Sequence, residues 1–186
     1  MGVIGSGIMG AGIAQVAAQA GYEVVLRSRQ QATADATLAS LEKGLNRMVE
    51  KGRMEEADRD ATLGRITATS VLKDLADCDL VIESVVEDLA TKQALFVELN
   101  QICRDDTILA TNTSTLAVIE MAVEVHNPSR VCGIHFFNPA PAMKLVEVVR
   151  GLATDDAVFE LVRELATRLG KTPVAVQDFP GFVSNR

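Results

Sequence analysis

MGVIGSGIMG, residues 1–10, is the stretch whose reading decides the fold. Met1 to Ile4 form an apolar run of strand length that leads into Gly5-Ser6-Gly7-Ile8-Met9-Gly10, and a helix-compatible run of small residues, 8–20, follows. In a strand–turn–helix setting the three glycines have separate tasks. Gly5 permits a tight turn, Gly7 lets an anion approach the backbone, and Gly10 lets the helix meet the strand. Ile8 and Met9 then open the helix, whose first N–H groups face that anion. The spacing predicts a βαβ unit that binds the pyrophosphate of a dinucleotide. A glycine turn of purely structural use is the alternative.

Strand-like and helix-like runs keep alternating after this unit, which is the rhythm of an α/β fold. Strands are expected over 22–26, 66–68, 79–82, 107–110, 130–134, 145–149 and 174–176. Helices are expected over 30–51, 55–63, 89–102, 116–123 and 155–169, the last capped by Gly170. Leu38, Leu41, Leu45 and Met48 recur at three- and four-residue steps on the long helix. Gly52 stops that helix, and the hairpin it makes with 55–63 is longer than a crossover needs, so it should protrude. The expectation is a Rossmann-type, doubly wound, mostly parallel sheet with antiparallel strands near Leu145 and Val174. Residues 1–180 would form this domain. Pro180-Gly181 breaks the sheet region, and 181–186 begins a new apolar pattern.

The second strand, EVVLRSRQ (residues 23–30), should end in an acid if it gripped a ribose with free hydroxyls. It ends instead in Arg27, Ser28 and Arg29. Ser28 removes the repulsion that a carboxylate would exert on a 2′-phosphate, and Arg29 can fork onto that phosphate and stack on adenine. Strand alternation points Arg27 away from Ser28's side. The reading favours NADP, with NAD through the glycines alone as the alternative.

Three more stretches carry chemistry at strand ends, where open α/β sheets bind ligands. In SVVED, Glu87 either faces a ribose or amide or is a solvated acid, and Lys92, five residues on, shares the ambiguity. In TNTST, residues 111–115, Ser114 could donate to a substrate carbonyl, while Thr113 to Thr115 also suit the N-cap of the next helix. In GIHFFNPAP, His135 ends a strand, with Asn138 beyond it. A lone strand histidine is commonly structural, but Glu147 lies twelve residues on along a returning strand. A His–Glu pair is a general base with an orienting carboxylate. His126 precedes Asn-Pro in a turn and receives no role.

The totals exclude several classes. At 186 residues with 48% hydrophobic residues, the chain suffices for one domain with a sizeable core. The net charge of −7 argues against nonspecific binding to nucleic acid or to an anionic membrane surface. No 18-residue apolar span exists, and the start reads as a strand rather than a signal peptide. Three widely spaced cysteines, Cys78, Cys103 and Cys132, suit reduced thiols and a cytoplasmic setting. No metal motif is present.

GSGIMGAGIA, VIESVVED, TNTST, HFFNPAPAMKLVEVV and PGFVSNR, in this order, resemble the nucleotide-binding domain of the 3-hydroxyacyl-CoA dehydrogenases, most closely the 3-hydroxybutyryl-CoA type. The resemblance covers essentially the whole chain, and HFFNP followed by KLVEVV is its most specific part. It implies an oxidoreductase of fatty acid or butanoate metabolism that interconverts (3S)-3-hydroxyacyl-CoA and 3-oxoacyl-CoA. His135 would take the proton of the 3-hydroxyl as hydride leaves carbon 3, and Glu147 would orient it. Ser114 and Asn185 would position the substrate oxygens, and Lys51 would contact the CoA phosphate. Asn138, Glu87 and Lys92 would line the nicotinamide and ribose side. Three features depart from the family pattern: TNTST for the usual S-N-T-S-S, Ser28 for the acid, and the absence of the family's helical C-terminal domain, through which a dimer would form. The competing readings are a non-catalytic dinucleotide-binding module and a hydroxyacid dehydrogenase resembling the 6-phosphogluconate enzyme.

Overall fold

A computed structural model describes residues 1–179 and 182. Eight strands form one sheet: β1 (Gly2–Ile4), β2 (Val24–Arg27), β3 (Ile66–Thr69), β4 (Leu80–Glu83), β5 (Ile108–Thr111), β6 (Val131–Phe136), β7 (Leu145–Arg150) and β8 (Thr172–Gln177). Their spatial order is β3-β2-β1-β4-β5-β6-β7-β8. The first six run parallel, β7 is antiparallel to β6, and β8 is parallel to β7. The doubly wound, mostly parallel sheet is therefore as expected, and its last two strands oppose the rest.

The helices are α1 (Ile8–Gln19), α2 (Gln31–Glu50), α3 (Glu56–Gly64), α4 (Leu89–Ile102), α5 (Ile119–Ala122) and α6 (Asp156–Arg168). They cover both faces, so each strand alternates between two cores. One core joins Val3, Leu26, Ile82, Ala110 and Ile134 to Ile13, Ala17, Leu41, Phe159 and Val162. The other joins Ile4, Val81, Leu109, Val131 and Val149 to Phe96, Leu99 and Met121. Burying this much apolar side chain stabilises the sheet by ~1.5–3 kcal/mol per large residue.

Two sequence expectations needed correction. The helix expected over 116–123 is only the single turn α5. Side chains satisfy the N–H groups that lead into it: Thr113 Oγ1 accepts from Leu116 at 3.0 Å, and the Asp178 carboxylate accepts from Val118 and Ile119 at 2.7 and 2.9 Å. The strand expected over 174–176 begins earlier and includes Pro173, which lacks an N–H; β8 is an edge strand, where the loss is tolerated. The long α2 buries Ala34, Thr37, Leu41 and Leu45, whereas α3 buries only Thr62. The helical hairpin is thus anchored through α2.

Candidate active site

The first loop takes the form that its glycines predict. Gly5 has φ +116°, a conformation that a side chain would strain, and a Cβ there would sit 2.2 Å from the Ser84 carbonyl oxygen. A Cβ on Gly10 would lie 1.9 Å from the Gly5 oxygen, so Gly10 is where α1 meets β1. Beside Gly7, by contrast, the space is open. Gly7 is also the N-cap of α1, and no side chain caps the helix. The first N–H groups of α1 consequently have no intrahelical partner and open onto a cavity of about 1420 Å³. An uncapped helix start with room for a close ligand fits the pyrophosphate of a dinucleotide.

Gly5, Gly7, Ile8, Met9, Ser28, Arg29, Glu87, Ser114 and Asn138 all line that cavity. At the β2 end, Ser28 is buried and its hydroxyl pairs with that of Ser6 at 2.9 Å, which ties the strand end to the glycine loop. Arg29 is exposed beside it. Arg27 also lines the cavity, and its side chain donates to the Ser70 carbonyl at 3.4 Å.

The β4 end carries a buried polar cluster. Lys92 is 1% exposed and reaches Glu83 at 2.6 Å and Glu87 at 3.3 Å. It lies beneath Glu87 and outside the cavity lining, so it neither faces solvent nor meets the cavity directly. Glu87 Oε1 accepts from the Ser114 and Thr115 N–H groups at 2.9 and 3.2 Å, and from the hydroxyls of Thr113, Ser114 and Thr115. Burial pushes the Glu87 carboxyl up, but the donors from Thr113 and Ser114 and the Lys92 cation outweigh it and hold it below the usual carboxylate range. Thr113 both caps the following turn, as the N-cap reading of TNTST expected, and donates to Glu87.

The β6–β7 pairing places His135 directly opposite Glu147. Nδ1 of His135 lies 2.8 Å from Oε2 of Glu147, with the residues 6% and 2% exposed. A carboxylate accepts, so Nδ1 carries the proton and Nε2 is left as the basic nitrogen. The Phe137 and Phe182 rings lie 4.5 and 6.0 Å from the imidazole, centroid to centroid. His135 is outside the cavity lining but is joined to it by Asn112. The Asn112 side chain accepts from the Phe136 N–H at 2.8 Å, donates to Ser84 at 3.2 Å, and lines the cavity.

Sequence reasoning missed Glu83 and Asn112. An acid closing the apolar run LVIE, nine residues before a lysine, was the available signal for Glu83. Asn112 offered only its place in TNTST. Lys51 caps the C-terminus of α2 on the surface, away from this cavity's lining. Asn185 lies outside the described residues. Among the described residues no cluster suited to a metal ion occurs, and no helix is long and apolar enough to cross a membrane.

The model of the 3-hydroxyacyl-CoA dehydrogenase NAD binding domain matches residues 1–179. The probable 3-hydroxybutyryl-CoA dehydrogenase of Deinococcus radiodurans is 48% identical over 185 residues, which is 100% of this chain and 66% of its own length. The 3-hydroxybutyryl-CoA dehydrogenase of Clostridioides difficile is 46% identical over 186 residues, with the same two shares. Among solved structures, the (S)-3-hydroxybutyryl-CoA dehydrogenase of Ralstonia eutropha superposes with a TM-score of 0.97 at 37% identity, covering 100% of this chain and 65% of that one. The chain thus spans just under two thirds of the length of these relatives. The family supports a nicotinamide dinucleotide as the cofactor, in agreement with the open, uncapped start of α1. With the glycine loop, the cavity and the His135–Glu147 pair on the same sheet edge, the chain belongs to the 3-hydroxyacyl-CoA dehydrogenase family, as its NAD-binding domain.

Proposed function

We propose that this domain serves a dehydrogenase interconverting (3S)-3-hydroxyacyl-CoA, in first place 3-hydroxybutyryl-CoA, and 3-oxoacyl-CoA. The carrying observation is the 2.8 Å His135–Glu147 pair beside a cavity that opens on a bare helix N-terminus. Accepting or returning hydride is the chemistry that the bound dinucleotide supplies. This chain's residues handle the proton. As the C3–H pair departs, the C3–O bond becomes a carbonyl and Nε2 of His135 takes the hydroxyl proton. Glu147 holds the tautomer that makes Nε2 the base and stabilises the cation formed. Ser114, with Asn185, positions the substrate oxygen. Glu87 and Asn138 face the nicotinamide half, Lys92 supports Glu87 from below, and Lys51 meets the CoA phosphate.

The dinucleotide preference in this reading is NADP over NAD. It rests on the absence of an acid at the β2 end and on Arg29, with Arg27, at the cavity wall. A charge-assisted contact of ~1.5–3 kcal/mol corresponds to roughly ten- to hundredfold preference. Its failure would leave NAD, bound through the glycine loop.

Closure of the substrate cleft and dimerisation are assigned to the part of the relatives' length that this chain does not cover, and the setting is cytoplasmic. The 186 residues should therefore bind reduced dinucleotide but turn over acetoacetyl-CoA poorly. Joined to the remaining third found in its relatives, the domain should oxidise (3S)-3-hydroxybutyryl-CoA, followed by the fluorescence of the reduced cofactor. An extended protein that binds the cofactor yet leaves every 3-hydroxyacyl-CoA unchanged would overturn the dehydrogenase reading.

A further inference from the structure

Glu83 is the most enclosed carboxylate of the site, 0% exposed at the last position of β4. Its Oε1 meets Lys92 Nζ at 2.6 Å and accepts the Val85 N–H at 2.6 Å, while Oε2 accepts the Thr111 hydroxyl at 2.7 Å. Lys92 is equally enclosed and extends to Oε2 of Glu87 at 3.3 Å. The other Glu87 oxygen gathers residues 113–115. Charged and polar contacts thus run from the sheet interior to the loop that carries Ser114.

A bland account makes the Glu83–Lys92 pair a stabilising cross-link between β4 and α4. Buried ion pairs are weak stabilisers, however, because their desolvation cancels much of the attraction and apolar substitutes often do as well. What an apolar pair could not do here is hold a third charged group. Glu87 reaches the cavity wall from this pair and keeps five donors of the loop turned inward.

We propose that Glu83 and Lys92 are positioning residues: the pair fixes the Glu87 carboxylate and, through it, the loop that aims Ser114 into the cavity. The inference rests on the dehydrogenase reading for Ser114's role, whereas the brace itself is a property of this chain alone.

Amide hydrogen exchange, followed by NMR on the 186-residue chain, tests it. The double variant Glu83→Gln/Lys92→Met removes both charges together at similar volume, so no buried charge is stranded. Exchange at the Ser114 and Thr115 amides should quicken by about tenfold or more, while the Phe136 amide, held by Asn112, stays protected. Affinity for the reduced dinucleotide should fall in parallel. A folded double variant with parental exchange at Ser114 and Thr115 overturns the proposal. A second test spares the pair: in Glu87→Gln, the Lys92 ammonium signals should shift and exchange faster with water. Lys92 signals identical to those of the parent chain would also overturn it. Failure of the dehydrogenase reading looks different, because the extended protein would then leave every 3-hydroxyacyl-CoA unchanged with this exchange pattern intact.

Discussion

The two ends of the cavity are built in opposite ways. At the β2 end the groups are uncharged or unburied: the Ser6 and Ser28 hydroxyls touch each other, and Arg29 stands in solvent. At the β4–β6 end two charged pairs are buried, Glu83 with Lys92 and His135 with Glu147, and only Glu87 reaches from the first pair to the cavity wall. The first end can change its ligand by exchanging a surface residue. The second cannot change one member without stranding its partner, since a lone buried charge is costly. In the function proposed above, choice of cofactor would thus be the adjustable property of this domain and proton chemistry the fixed one.

The sharpest way to break that contrast is at His135. In the protein carrying the relatives' remaining third, His135→Gln should lower turnover by ~10²–10⁴-fold, the usual share of a positioned proton acceptor, with cofactor affinity kept. Near-parental turnover would remove His135 from the chemistry. Glu147→Gln should act in the same direction with a smaller loss.

At the open end, Ser28→Asp together with Arg29→Ile should reverse the dinucleotide preference, from roughly ten- to hundredfold for NADPH to a similar margin for NADH. Fluorescence titration of both reduced cofactors reads the outcome. Affinity for NADPH unmoved by the double change would place the phosphate elsewhere.

Between the two ends stands Gly10. Its Cβ would meet the Gly5 carbonyl, so Gly10→Ala should cost ~1–3 kcal/mol in denaturant unfolding and weaken both cofactors alike. A change in preference rather than in common affinity would contradict the separation of the two ends.

The smallest effect concerns Glu87. Its carboxyl is held below the ordinary value of ~4.3, so it contributes stability above that value and loses it as pH falls through the lowered folded value. The difference in melting temperature between the parent chain and Glu87→Gln should shrink on going from neutral pH to strongly acidic buffer. The carboxylate is partly exposed and screened, so the shift should be slight.

The same contrast governs what could be read from the amino acids alone. Gly5, Gly7 and Gly10 act over six residues, and their spacing states the geometry in advance. His135 and Glu147 are twelve apart, but an antiparallel return constrains them to meet, so pattern and pairing again suffice. Lys92 was ambiguous because its burial depends on Glu83, which sits on a different element and looks like the end of an ordinary apolar strand. Asn112 was invisible for a similar reason: it joins the ends of β4, β5 and β6, which are far apart in the chain. The helix expected over 116–123 was overstated, and the carboxylate that caps the turn actually formed comes from about sixty residues away, Asp178, which no local pattern announces.

Asp178 has a mechanical consequence. It lies just past β8, and its carboxylate grips the N–H groups of Val118 and Ile119, a few residues beyond Ser114. A pull on the backbone after Phe179 is therefore borne by two tethers, the edge of the sheet and the Ser114 loop. Whatever tugs on that end of the domain loads the loop as well, and that load arrives through two short hydrogen bonds.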